Sequence, residues 1–208
     1  MALISLNKPE KLLIANGTDF FYGADQEWYG SLWQRRAGCG PTVASMLAGY
    51  LAQTRSECEP LAEKDTGTKE GILLTMNSMW KYVTPGYRGV NATVILRRGL
   101  SEYAGSRGVD LVFRFIDIGI CTEKRLDEVT VSEFLSSSME HDRPVAFLNL
   151  HNGEETKLDR WHWVTLVAYD VENGQAMMYD QGKKSSVDIL LWLRTTKLGG
   201  GFVTADAR

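Results

Sequence analysis

Three runs in the last third of the chain constrain its architecture most. Val145-Ala146-Phe147-Leu148-Asn149-Leu150 is an apolar run of strand length, residues 162–169 form a second, and residues 175–179 a third. The second and third are joined through Glu172-Asn173-Gly174, and Asn-Gly between two such runs marks a hairpin. A connection that short cannot make a parallel crossover, so the pairing must be antiparallel.

Upstream, the apolar period changes from two to about 3.6. Val43, Met46, Leu47, Tyr50 and Leu51 share one helical face and predict a helix over 41–53. Pro41 suits its first turn, which places the helix start just after Cys39. Ile72, Met76, Met79 and Val83, widened by Leu73 and Trp80, predict a second helix, stopped by Pro85-Gly86. A third is expected over 92–106, and a fourth from Thr130, where Thr130-Val131-Ser132-Glu133 has capping-box spacing, to about His141. Pro144 ends it. Strands are expected over 11–15, closing at Asn16-Gly17, over 109–116 by alternation, and over 201–204, with a short helix over 187–193. Residues 20–33, rich in Phe, Tyr and Trp without a regular period, read as an aromatic loop. Helices first and strands later predict an α+β fold with segregated layers, in one domain over 1–208.

Composition narrows the function classes. The chain has 23 basic and 26 acidic side chains, a net charge of -3, which argues against nucleic acid as the main partner. No window reaches the ~20 apolar residues of a membrane span, and residues 1–21 lack the pattern of a signal peptide. A cytoplasmic protein with no membrane partner is the expectation. Three cysteines, Cys39, Cys58 and Cys121, are too few and too far apart for a disulfide framework or a thiolate metal cage.

Among these thiols Cys39 stands apart. Gly38-Cys39-Gly40-Pro41-Thr42 opens a helix, where unpaired N–H groups and the helix dipole favour a thiolate. Flanking glycines admit a substrate closely, and nearby backbone amides suit a developing oxyanion. Cys58 lies in the acidic Glu57-Cys58-Glu59 segment, and Cys121 has no base near it in sequence. A thiol nucleophile needs a proton carrier, and the candidates are His141, His151 and His162. His162 heads an apolar strand, whereas His141 and His151 sit in polar segments expected to be solvated. The ring-orienting acid is expected at Asp180, which ends the next strand and is brought alongside by the hairpin. Asp170, the rival, lies ~23 Å along the strand from His162. A zinc site built from Cys39, His162 and Asp180 is less expected, since no ligands pair at short spacing. No cofactor or metal is expected.

Taken in order, Gly38-Cys39-Gly40-Pro41 opening a helix, His162-Trp163-Val164 opening a strand and Tyr179-Asp180 ending the next resemble the bacteriocin-processing (double-glycine leader) peptidase-like branch of the papain-fold cysteine peptidases. The resemblance implies a papain-like fold, with N-terminal helices packed on a C-terminal antiparallel sheet. It also implies a triad of Cys39 as nucleophile, His162 as base and acid, and Asp180 as orienter. The family uses an upstream glutamine as oxyanion donor; Gln26 is favoured and Gln34 is the alternative. Exporters of this family carry the domain ahead of membrane and ATP-binding parts, and neither a span nor a Walker-type loop occurs here. The expected function is therefore a free-standing hydrolase of a peptide or small amide through a Cys39 thioester. An acyl or amide transferase on the same triad and a catalytically silent peptide-binding module are the alternatives. Trp28 or Trp33 is expected to line the cleft and favour an extended, partly apolar chain.

Overall fold

The computed structural model describes residues 3–120 and 126–208. Along the chain run β1 (Leu3–Ser5), β2 (Leu13–Asn16), β3 (Asp19–Tyr22), α1 (Leu32–Ala37), α2 (Cys39–Thr54), α3 (Lys69–Met79) and α4 (Thr93–Ser106). There follow β4 (Leu111–Ile118), α5 (Glu128–Glu140), β5 (Val145–Asn149), β6 (His162–Asp170), β7 (Gln175–Asp180), β8 (Lys183–Asp188), α6 (Ile189–Thr195) and β9 (Gly200–Ala207). Single 3-10 turns lie at Pro9–Leu12, Gln26–Trp28 and Ser56–Leu61.

The fold is α+β. A seven-stranded antiparallel sheet has the order β4-β9-β5-β6-β7-β8, with β1 paired to β6 beyond the end of β5. β2 and β3 form a separate hairpin. Both faces of the sheet are covered, which explains why β5 and nearly all of β6 are buried without alternation. On one face Val43 and Leu47 of α2 and Leu96 and Leu100 of α4 pack with Ala146, Leu148 and Val203. On the other, Val131 and Leu135 of α5 and Trp192 of α6 pack with Val145, Phe147 and Phe202. Phe147 and Phe202 are direct cross-strand partners and stack at 4.7 Å, with Trp192 edge-on to Phe147 at 4.7 Å. Burial of each such ring stabilises the sheet by about 1.5–3 kcal/mol.

Several expectations need correction. The aromatic stretch is not all loop: Phe20 to Tyr22 belong to β3, and α1 begins at Leu32. The α2 helix begins at Cys39 itself. α3 starts earlier than its apolar face, at Lys69, because Thr68 caps it by accepting from the Gly71 N–H, and it ends at Met79. α5 also starts one turn early. Asp127 is its N-cap and accepts from the Thr130 N–H at 2.7 Å, so Thr130 is inside the helix. β4 lies two residues later than expected, and β9 extends to Ala207. The segregation of layers is partial, since β1 joins the sheet from the N-terminus and α5 and α6 cover its second face. Cys121 lies outside the described residues. Among the described residues no helix is long and apolar enough to cross a membrane.

Candidate active site

Cys39 is the first residue of α2, so its N–H has no carbonyl one turn back in that helix to bond to. Only Gly38 separates it from α1. The α1 helix is opened by a capping box, with Ser31 Oγ accepting from the Gln34 N–H and Gln34 Oε1 accepting from Ser31. Its junction with α2 packs on the buried ring of Tyr29, whose hydroxyl donates to Met76 O at 3.1 Å. A Cβ on Gly38 would lie 2.7 Å from that ring and 2.4 Å from Gln34 O. Glycine is required there for space. On the next turn face, Gly40 admits Val90, which a Cβ would meet at 2.6 Å. Cys39 is thereby held 8% exposed at a helix N-terminus.

His162 and Asp180 meet through the β6–β7 hairpin. From Asp170↔Gln175 to Ala168↔Met177 the pairing keeps one register; a β-bulge between Leu166 and Ala168 then shifts it, giving Leu166↔Met178 and Thr165↔Tyr179. A one-residue shift exchanges the two faces of a strand. Without the bulge, Asp180 and His162 would point to opposite sides of the hairpin. With it they are diagonal neighbours on one side, and His162 Nε2 bonds to Asp180 Oδ1 at 2.8 Å. Each side chain also adjoins backbone in the left-handed region: Trp161 has φ 58° and Gln181 has φ 47°. Gln181 and Gly182, at φ 72°, form the two-residue turn between β7 and β8.

With Nε2 committed to Asp180, the other ring nitrogen of His162, Nδ1, is left for the Cys39 side chain, which lines the same small cavity and acts on the ring electrostatically. Burial disfavours the charged imidazole here. The hydrogen bond to Asp180, the nearness of Cys39 and the negative charge of both partners outweigh burial and raise the His162 pKa to about 10. The arrangement favours an imidazolium beside the sulfur at neutral pH.

Gln26 reaches the same place by another route. The β2–β3 hairpin docks on the β7–β8 turn, where the Tyr22 N–H donates to Gly182 O at 2.8 Å and the Tyr22 ring meets Tyr179 edge-on at 5.3 Å. Asp25 then caps the Gln26–Trp28 turn by accepting from the Glu27 N–H. Gln26 Nε2 donates one hydrogen to Arg35 O at 2.6 Å. That contact fixes the amide, because the reverse orientation would set two carbonyl oxygens against each other. Oε1 is buried with no hydrogen-bond partner among the described residues. Such an atom costs about 1–3 kcal/mol, a burden more expected at a site of chemistry than in a stabilising core.

A small cavity of about 10 Å³, room for one water, is lined by Gln26, Cys39, Thr42, His162 and Asp180 among others. On its other side Cys39 opens onto a cavity of about 510 Å³ walled by Trp33, Tyr87 and Trp161. The four favoured residues are thus together. Gln34 is spent on the capping box, and Trp28 packs edge-on to Phe21 with Lys69 over its ring, so neither lines these cavities. His141 Nδ1 donates to Ser137 O, His151 accepts from the Gly153 N–H, and Asp170 closes the turn after β6. Burial, reinforced by the charge of Glu57, pushes the Cys58 thiol up to about 11. Sequence reasoning passed over Trp161, which directly precedes His162, and Tyr87 and Arg88, whose only signal was the Pro85-Gly86 and Arg88-Gly89 turn chemistry. Among the described residues no group of three or more His, Cys, Asp or Glu is placed to hold a metal. No protein-family model matches this chain, and no curated protein matches it.

Proposed function

We propose that the chain is a cysteine hydrolase of peptidase type on a papain-like fold, akin to the bacteriocin-processing-peptidase-like branch. The observation that carries this reading is the line of contacts from Asp180 Oδ1 through the His162 ring to the Cys39 side chain, at the N-terminus of α2. In the first step the Cys39 thiolate attacks a peptide or amide carbonyl, forming the C–S bond and moving the carbonyl electrons onto oxygen. The Cys39 N–H and the uncommitted hydrogen of Gln26 Nε2 hold that oxyanion. Collapse breaks the C–N bond, and the amine leaves with the proton of His162 Nδ1. A water then gives a proton to the neutral ring, attacks the thioester and releases the acid and the Cys39 sulfur. Asp180 holds the ring in the tautomer and orientation both halves need.

A vinyl-sulfone probe at neutral pH tests the reading, with site mapping by mass spectrometry. The parent should be modified at Cys39, Cys39→Ala should not react, and His162→Ala should react at least ~100-fold more slowly. Equal labelling of the parent and Cys39→Ala would remove Cys39 as the nucleophile.

A further inference from the structure

The cavity of about 510 Å³ beside Cys39 has an uneven lining: Trp33, Tyr87 and Trp161 supply aromatic walls, Arg36 and Arg88 supply the charge, and no carboxylate contributes. This is a local reversal in a chain whose net charge is -3. Both guanidiniums are exposed and have no ion-pair partner among the described residues. Arg35, Arg55, Arg107 and Arg143, by contrast, are bound to carboxylates.

The wall that carries Tyr87 and Arg88 is fixed in place. Gly86 and Gly89 exchange backbone hydrogen bonds of 3.2 and 2.9 Å, which leaves Tyr87 and Arg88 at the tip of a two-residue turn. Val90, the next residue, is wedged against Gly40, and its carbonyl accepts from Trp163 Nε1 at 2.5 Å. The turn is thereby tied both to the helix that starts at Cys39 and to the strand that starts at His162. Trp161, opposite, keeps its bulky ring 44% exposed on a left-handed backbone, a conformation costing about 1–2 kcal/mol. Tyr87 is 97% exposed. Three exposed rings around two unpaired cations gain nothing for the free protein and match a ligand that brings both an apolar group and an anion.

We infer that this cleft selects acidic peptides, binding an Asp or Glu carboxylate at Arg36 and Arg88 while an adjacent apolar or aromatic residue lies against Trp33, Tyr87 and Trp161. The inference deepens the hydrolase reading and rests on it for the identity of the bound chain as substrate. The arginine contacts are open to water, so the preference is salt-sensitive.

The test uses two peptides that share a Phe-Gly core and differ only in flanking residues, Glu in one and Lys in the other. They are titrated against Cys39→Ala protein, followed by tryptophan fluorescence at low salt. The Glu peptide should bind about tenfold more tightly or better, and the order should invert in a protein that also carries Arg36→Glu and Arg88→Glu. Equal binding, or a preference for Glu that survives the charge reversal, would overturn the inference. Alkylation of otherwise wild-type protein gives a second measurement that does not depend on the Cys39→Ala fold. The rate ratio of iodoacetate to iodoacetamide should fall several-fold on charge reversal, and an unchanged ratio counts against the inference. The two claims separate cleanly. A reactive Cys39 without charge preference defeats the acidic-peptide inference alone, and Glu preference with an inert Cys39 defeats the hydrolase reading alone.

Discussion

Cys39 and Cys58 are both buried, yet only Cys39 has an imidazole beside it; Cys58 is pushed up to about 11 by burial and the charge of Glu57. Replacing Cys58 with Ala should therefore leave thiol labelling at neutral pH unchanged, as read by probe incorporation. His162 sets a pH limit of known sign. On the proposed mechanism, its raised pKa means the proton needed by the departing amine is present at neutral pH and is lost as pH rises through about 10. Asp180→Asn removes a charge and weakens a hydrogen bond that both raise this pKa, so the alkaline limb of peptide turnover should move to lower pH. An unshifted limb would show that Asp180 does not act through the ring. Cys39, His162 and Asp180 were legible in the sequence because each stands at an element end announced by Gly-Pro or hairpin chemistry. The direction of the Gln26 amide was not, since it depends on the docking of the β2–β3 hairpin and on Arg35 O.

Elements place these residues through steric and register details that periodicity does not carry. The β6–β7 bulge is one: the apolar run from Trp163 to Tyr169 reads the same with or without it, yet it brings Asp180 to the side of His162. The close packing at Gly38 is another. Gly38→Ala should destabilise the fold by about 1–3 kcal/mol in urea unfolding, because the added methyl meets Gln34 O and the Tyr29 ring rather than open space. Its φ of -84° is ordinary, so the cost is steric and not conformational. Strands β1 and β8 escaped sequence reading for separate reasons. β1 has three residues, and β8 opens with Lys183-Lys184-Ser185-Ser186, a polar composition suited to a sheet edge and invisible to an apolar pattern. Helix starts erred by a turn where the capping residue, Thr68 or Asp127, preceded the first apolar position.

For the molecule as a whole, the end of α2 opposite Cys39 is fastened to the sheet by a polar knot. Arg55 bonds to Asp142 Oδ2 and to Asp206 Oδ1, each at 3.2 Å, and Asp206 also accepts from Arg143 at 2.7 Å. Tyr50 from the same helix donates to Asp142. This knot joins α2 to the α5–β5 turn and to β9, and so fixes the helix that presents Cys39. Arg55→Ala should cost about 2 kcal/mol in urea unfolding, less than the loss of a fully buried pair because the guanidinium keeps some contact with water. Only the overall α+β arrangement was legible at this scale; residues some 90 and 150 positions apart meet in a contact no local pattern encodes. On the proposed function, Asp180, His162 and Cys39 act as one unit with the ring held as imidazolium. An NMR titration of the His162 side chain measures this directly. The ring should stay protonated from neutral pH until about pH 10. Titration near the ordinary imidazole value of about 6.5 would contradict it.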